Sequence, residues 1–168
     1  MDTSAGHGQV SEDRASMEYQ DNVRCEALYR AYGRHVYAYC CRRTSMDEAK
    51  DATADVFVVV LRRINTVPDG DGALPWLYGV ARNVLANRSR SQRRRVRLTV
   101  KIAGRYEGSV PGPEPQIVRN EEYEELIGAL SKLSDKDQEI LRLVEWEGLS
   151  REQVADMFFV SRAAIDKR

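Results

Sequence analysis

The stretch that decides the fold is Ser134–Arg168, SDKDQEILRLVEWEGLSREQVADMFFVSRAAIDKR, which predicts a helix followed by a helix-turn-helix. Ser134 can cap the first helix, because a serine oxygen accepts hydrogen bonds from the amides of a helix's first turn. Gly148 is expected to end this helix, since glycine adopts a left-handed conformation at little cost. The apolar residues that recur at helical spacing between these positions are Ile140, Leu141, Val144 and Trp146.

Two short helices around a tight turn are predicted next. Residues 150–153, SREQ, match a capping box, and the helix that they open has an apolar stripe formed by Val154, Ala155 and Met157. Residues 158–160, FFV, are expected to turn, and the following serine to cap a final helix that carries three cations. This pattern is typical of a unit that reads the major groove of DNA, although an ordinary helical hairpin with solvated cations shares it.

Length and composition limit the architecture. The chain has 168 residues, which suits one or two small domains. Its longest unbroken apolar run, Val56–Leu61, has six residues and is too short to span a bilayer, so no membrane insertion is expected. Residues 1–22 are polar and lack the apolar core of a signal peptide, which favours a disordered N-terminal tail.

The cysteines favour a reducing compartment, the cytoplasm. Cys25, Cys40 and Cys41 are odd in number and two are adjacent, which argues against a disulfide framework. A zinc site that combined them with His35 is disfavoured, since their spacing is not that of a CxxC pair. We therefore expect no metal and no other cofactor. Catalysis is not expected either, because there is no phosphate-cradling glycine loop and no HExxH pair.

A net charge of zero conceals a strong segregation of charge. Residues 1–81 have a net charge of −3, residues 82–105 carry nine cations and no anion, and residues 106–168 have a net charge of −6. A basic block of this kind attracts phosphate, while the acidic parts can meet a different, basic partner. The distribution indicates a protein that works between two macromolecules.

Three helices are predicted in the first part of the chain. The first spans roughly residues 24–43, the second runs from a capping box at Ser45 and Glu48 to about residue 64, and the third follows the turn at residues 68–72. The β-branched part of the second could form a strand, but its acidic start and basic end favour a helix. The residues expected to face the core are Leu28, Tyr32, Val36, Tyr39 or Cys40, then Ala49, Ala52, Val56, Val59 and Val60, then Trp76, Leu77, Val80, Ala81, Val84 and Leu85.

The third helix is expected to expose a face that suits nucleic acid. No acidic residue occurs from Arg82 to Arg105, whereas a plain solvated helix mixes both signs of charge. Guanidinium groups neutralise phosphates, amides pair with base edges, and rings stack on unpaired bases. The residues that form this face are Tyr78, Arg82, Asn83, Asn87 and Arg88. The glycines and prolines between Thr99 and Gln116 then predict a linker.

Four segments occur in a fixed order along the chain: residues 28–32 (LYRAY), 47–57 (DEAKDATADVF), 76–83 (WLYGVARN) and the helix-turn-helix. In this order they resemble the landmarks of a bacterial RNA polymerase sigma factor, best of all the compact extracytoplasmic-function group. The resemblance extends over roughly Cys25 to Arg168. It implies an all-α fold of two small helical domains joined by a flexible linker. The implied parts are a tail at 1–22, a region-2-like domain at 23–97, a linker at 98–118 and a region-4-like helix-turn-helix domain at 119–168.

The resemblance also implies partners and site residues. The partners are core RNA polymerase, through the clamp coiled coil of its largest subunit and its flap, promoter DNA, and an anti-sigma factor. The residues implied to dock on polymerase are Asp47, Asp51, Asp55, Phe57 and Arg62. Those implied to capture and hold the melted minus-ten element are Asp69, Trp76, Tyr78, Arg82, Asn83, Asn87 and Arg88. Those implied to read the minus-thirty-five element are Arg151, Ser161, Arg162, Ala164, Lys167 and Arg168.

The sequence departs from the family's pattern at three places. Ala54 stands where the family usually has Gln, Phe159 stands where the turn usually has Gly, and the reading helix stops at Arg168, before the family's usual further basic stretch. The last departure has two interpretations: either the sequence is cut short within the reading helix, or the protein reads the minus-thirty-five element weakly. Two other functions remain open. One is a helix-turn-helix regulator that binds promoters without polymerase, and the other is a decoy that binds polymerase or an anti-sigma factor.

Overall fold

Helices and short turns form the parts of the chain that the structure, a computed structural model, describes. It describes the backbone of residues 5–103 and 128–167 and the side chains of residues 14–94 and 128–167. The helices are α1 (Ala5–Cys41), α2 (Met46–Arg62), α3 (Ala73–Ala103), α4 (Asp135–Glu145), α5 (Arg151–Phe158) and α6 (Arg162–Asp166), with 3-10 turns at Ile64–Thr66 and Gly70–Gly72. Residues 128–131 are also helical. These ranges contain no strand, and the predicted all-α fold class is confirmed.

The first three helices enclose a shared apolar core. Val36, Tyr39 and Cys40 of α1 are fully buried, as their predicted spacing requires. The other two helices contribute the buried residues Ala49, Ala52, Val56, Phe57 and Val60, and Ala73, Leu77, Tyr78 and Ala81. Because full burial of a Val or Leu side chain stabilises a protein by roughly 1.5–3 kcal/mol, this core is sufficient to hold the three helices together.

Serine caps begin four of the helices at the predicted residues. The side chains of Ser45, Ser134, Ser150 and Ser161 accept hydrogen bonds from the amides of Glu48, Asp137, Gln153 and Ala164. At Ser150 the capping box is complete, because Gln153 also accepts a hydrogen bond from the Ser150 amide at 2.9 Å. At Ser45 it is half formed, since the Glu48 carboxylate accepts a hydrogen bond from the Thr44 hydroxyl instead. Each cap is worth about 1 kcal/mol.

The helix-turn-helix forms as predicted, with one unusual turn residue. Val154 of α5 and Leu143 of α4 are fully buried and Ile165 of α6 is 6% exposed, so the three short helices share an apolar core. Gly148 has a φ of +68° and takes the left-handed position that follows α4. Phe159 also has a positive φ, of +54°, and its side chain is 96% exposed. Its ring therefore gains no burial that would offset the strain of a left-handed backbone.

Two helices extend beyond the predicted boundaries. α1 begins at Ala5, so residues 5–22, which the sequence analysis assigns to a disordered tail, are helical in the structure. This segment has no proline and no glycine after Gly8, so its backbone chemistry does not interrupt the helix. α3 continues to Ala103, past the predicted boundary at residue 97, because no glycine follows the arginine block until residue 104. The rest of the predicted linker lies outside the described residues.

The buried face of α4 does not follow its apolar residues alone. Ile140 is 7% exposed, whereas Leu141 and Trp146, which were noted for their helical spacing, are 40% and 56% exposed. Leu143 is fully buried. Directly after α4, the Glu147 side chain is 1% exposed and paired with arginines. Hydropathy alone does not reveal a buried carboxylate.

The two helical parts lie against each other. α5 packs on α3, and a side chain of α4 bonds to the C-terminal half of α1. Buried residues from both parts belong to one continuous apolar cluster. The arrangement brings residues that are about a hundred positions apart in the sequence into direct contact.

Replacement of Phe159 by glycine is expected to stabilise the helix-turn-helix. Glycine adopts φ near +54° without a clash between Cβ and the backbone, so Phe159→Gly should raise the free energy of unfolding by about 1 kcal/mol. Urea unfolding followed by circular dichroism measures this change. Phe159→Ala is the matched control, because it removes the ring but keeps Cβ. Equal stabilisation by both substitutions would show that the exposed ring, not the backbone, is the source of the cost.

Candidate functional site

One face of α2 combines acidic and apolar side chains that are open to solvent. Asp47, Asp51, Asp55 and Arg62, which were predicted to bind polymerase, are all exposed on this face. Two apolar side chains that the sequence analysis did not single out, Val58 and Leu61, are 49% and 41% exposed there. We call this set the α2 stripe, and it consists of Asp47, Asp51, Ala54, Asp55, Val58, Leu61 and Arg62. A helical spacing of three and four residues would have identified it.

Phe57 does not belong to the α2 stripe, and its prediction as a docking residue is corrected. Its side chain is 8% exposed, and its ring packs edge-on against Tyr29, with 4.9 Å between the ring centroids. Tyr29 is 55% exposed and covers Phe57 from the outside. The buried face of α2 is wide enough to include two adjacent residues, Val56 and Phe57. A narrow apolar stripe with one residue per turn would predict that only one of the two is buried.

A compact loop joins α2 to α3 and carries Asp69, which was predicted to contact the minus-ten element. The Asp69 carboxylate is 95% exposed and accepts a hydrogen bond from Arg24 of α1 at 2.8 Å. The same arginine donates to the backbone carbonyls of Ile64 and Val67, at 3.1 and 2.8 Å. Gly72 closes the loop, where an added Cβ would lie 2.9 Å from a carbon of the Pro68 ring. Asp69 is therefore an exposed residue of a loop that is hydrogen-bonded to Arg24 of α1.

The polar face of α3 includes most of the residues predicted for it. Asn83 and Asn87 are exposed, and Arg82 is partly exposed. Arg88 lies on the same face but pairs with Asp55 of the α2 stripe, with 2.6 Å between Nη2 and the carboxylate. The structure thus joins a residue predicted to bind DNA to one predicted to bind polymerase. Towards the C-terminal half of α3, a groove is lined by Asn87, Arg90, Arg93 and Arg94.

Tyr78 is not part of this polar face, and its prediction as a DNA-binding residue is corrected. Its side chain is 2% exposed and its ring stacks on that of Tyr39, with 5.0 Å between the centroids. Burial, together with the neighbouring Glu147 carboxylate, raises the pKa of the Tyr78 hydroxyl to about 12. Trp76, by contrast, is half-buried against the core, and its other side faces solvent.

The predicted reading helix α6 is short, and two of the cations predicted to bind DNA in this region are paired with acidic side chains. Arg162 bonds to Glu152 of α5 at 2.6 Å, and Arg151 bonds to Asp166 of α6 at 3.2 Å. Ser161 caps the start of α6, and Lys167, directly after the last residue of α6, is exposed. The other two predicted positions are Ala164, which is half-buried, and Arg168, which lies outside the described residues. Exposed ion pairs of this type contribute about 0–1 kcal/mol, so phosphate groups can replace the acidic partners.

An ionic network that the sequence analysis missed joins the two helical parts. Arg43, at the end of α1, is 7% exposed and pairs with Glu139 at 3.0 Å and with Glu147 at 2.9 Å. Its guanidinium group lies 3.6 Å from the centre of the Tyr39 ring, and the Tyr39 hydroxyl donates to Glu139 at 2.7 Å. Arg42 also bonds to Glu147. Nothing in the local pattern marks these residues, since each occupies a position where a charged side chain is ordinarily solvated.

A second contact of the same interface involves the nucleic-acid face directly. The guanidinium group of Arg82 lies over the ring of Phe158, 4.4 Å from its centre. One turn earlier, a Cβ added at Gly79 would lie 3.4 Å from Cγ of Met157. α5 therefore covers the start of the polar face of α3, where Arg82 lies.

No group of three or more His, Cys, Asp or Glu side chains in the described ranges is placed to hold a metal ion. Burial raises the pKa of the Cys25 and Cys40 thiols, which disfavours the thiolate that a metal requires. None of the described helices is both long enough and apolar enough to cross a bilayer.

Family models and relatives agree on the same two regions. The model for sigma-70 region 2 matches residues 28–95, and that for sigma-70 region 4 matches residues 129–168. RNA polymerase sigma factor YlaC of Bacillus subtilis is 31% identical over 155 residues, which cover 89% of this chain and 87% of YlaC. The ECF RNA polymerase sigma factor BldN of Streptomyces coelicolor is 31% identical over 143 residues, which cover 82% of this chain and 53% of BldN.

Solved structures show a related fold. The sigma factor RpoE in complex with the anti-sigma factor NepR, from Bartonella quintana, superposes with a TM-score of 0.61 at 20% identity, over 84% of this chain and 87% of RpoE. The two matched regions coincide with the two helical parts described above, one with the α2 stripe and the polar face of α3, the other with the helix-turn-helix. The chain therefore belongs to the sigma-70 family of RNA polymerase sigma factors, as a two-domain member of the extracytoplasmic-function type.

Proposed function

We propose that this sigma factor binds core RNA polymerase through the α2 stripe and holds the melted minus-ten strand on the polar face of α3. The observation that carries the proposal is the placement of these two surfaces on adjacent helices with opposite charge. One surface is acidic and apolar, and the other is cationic with exposed amides. A protein that bridges a basic protein surface and a polyanion needs this separation.

The α2 stripe suits a helical, basic partner such as the clamp coiled coil of the polymerase largest subunit. Asp47 and Asp51 project from the first half of α2, where they steer a cationic partner during encounter. Val58 and Leu61, in the second half, supply apolar area that becomes buried on docking. Ala54, which stands where the family usually has Gln, lies between the two halves and contributes no polar group.

The α3 face suits a separated strand better than a duplex. Asn83 and Asn87 offer donors and acceptors to base edges, and the groove with Arg90, Arg93 and Arg94 offers charge to a backbone that runs past them. Asp69, on the loop before α3, and the exposed side of Trp76 border the place where an extruded base is held. Melting then needs no catalysis, because the contacts of the single strand offset the few kcal/mol that unstacking of each base costs.

The remaining assignments complete the proposal. α6 reads the minus-thirty-five element through Arg162, Lys167 and Arg168, with Arg151 on the adjacent phosphates, and the exposed Leu141 and Trp146 of α4 face the polymerase flap. The protein works in the cytoplasm as a non-catalytic factor and is sequestered by an anti-sigma factor; the solved structure of the sigma factor RpoE in complex with the anti-sigma factor NepR supports such a partner. The domain boundaries that fit these roles are residues 23–97 and 119–168.

Reversal of charge at the start of the α2 stripe is expected to weaken polymerase binding. Asp47→Arg with Asp51→Arg places two cations against a basic partner and should lower the affinity for core enzyme about tenfold or more. Fluorescence anisotropy of labelled sigma factor, titrated with core enzyme, measures this affinity. Glu18→Arg with Glu26→Arg, on the exposed side of α1, makes the same change in net charge and is the control. An equal loss in both variants would mean that net charge, not the α2 stripe, governs binding.

Removal of the polar side chains at the start of the α3 face is expected to block promoter opening. Arg82→Ala with Asn83→Ala removes one phosphate contact and one base-edge contact, so permanganate-reactive thymines at the minus-ten element should disappear. Core-enzyme affinity should stay within about twofold of the original, because neither residue lies on the α2 stripe. Arg34→Ala, at an exposed position of α1, is the control. Thymines that remain reactive in the double variant would place the strand on another face.

A further inference from the structure

We infer that Arg24 of α1 is a positioning residue for recognition of the minus-ten element, an inference that rests on the proposed role of the loop before α3. Arg24 donates to the carbonyl oxygens of Ile64 and Val67 and to the carboxylate of Asp69, at 2.8 to 3.1 Å. These bonds connect α1 to a loop that lies about forty residues away in the sequence. The planar guanidinium group directs its several donors to three acceptors in a fixed arrangement, which the compact ammonium group of a lysine does not reproduce.

The loop before α3 has an exposed part, whose position depends on the hydrogen bonds from Arg24. Ile64 and Val67 are 3% and 4% exposed and anchor the loop in the core, whereas Asp69 is almost fully exposed. Gly70 follows with a φ of +61°, a left-handed conformation that glycine adopts at little cost. A contact of Asp69 with an extruded base depends on a fixed carboxylate position, which the bond from the partly exposed Arg24 side chain provides.

The test compares base preference with polymerase binding. Arg24→Gln should lower the preference for the favoured base over the other three in the minus-ten element about tenfold, measured as run-off initiation on a set of single-base promoter variants. Arg24→Lys should recover part of this preference, because an ammonium group reaches one or two of the acceptors. Core-enzyme affinity should change less than twofold. Arg30→Gln is the control, because Arg30 pairs with Glu26 on its own helix only.

Each result has a separate meaning. An Arg24→Gln protein that initiates with unchanged base preference would overturn the positioning role and leave the proposed function intact. Equal losses of base preference and core affinity, without rescue by Lys, would show that Arg24 only stabilises the fold and would also overturn it. Failure of the original protein to initiate on any promoter variant would instead count against the proposed function.

Discussion

The concentration of positive charge on α3 is the constraint on which the rest of the structure depends. Residues 82–105 carry nine cations and no anion, and the same helix closes the core through Leu77 and Ala81. Like charges on neighbouring turns repel one another, so the helix is held by its buried stripe and by acids from elsewhere, as Asp55 shows by pairing with Arg88. In the proposed function, a nucleic-acid backbone supplies further negative charge to this helix, and the acidic α2 stripe binds a different partner.

Local signals in the sequence predicted most of the helices and their ends. Ser134, Ser150 and Ser161 cap the helices that they were expected to cap, and Gly148 is left-handed, because each of these interactions joins residues three or four positions apart. The buried residues of α1 followed from a clear spacing of apolar residues for the same reason. The helix-turn-helix needed no distant information either. Its strained turn was visible as a phenylalanine in a glycine's position.

The errors concern residues whose environment is made by distant parts of the chain. Tyr78 lies at the edge of the α3 stripe and is buried because Tyr39 and Glu147 close over it. Phe57 is covered by Tyr29, and Glu147, which follows α4, is buried although it looks like a surface residue in the sequence. Hydropathy assigns a charged residue to solvent unless its partner is known, and here the partner is an arginine from the other domain.

The protein combines one acidic and one cationic surface in a single sigma factor, and its two helical parts lie against each other. Run-off transcription with purified core polymerase on a promoter library, with and without this protein, tests the proposed function most directly. We predict transcripts that start at discrete positions and that appear only when the protein is added. If no template in the library yields such a transcript, although core enzyme and protein form a complex, the claim that α3 holds a melted promoter strand is contradicted.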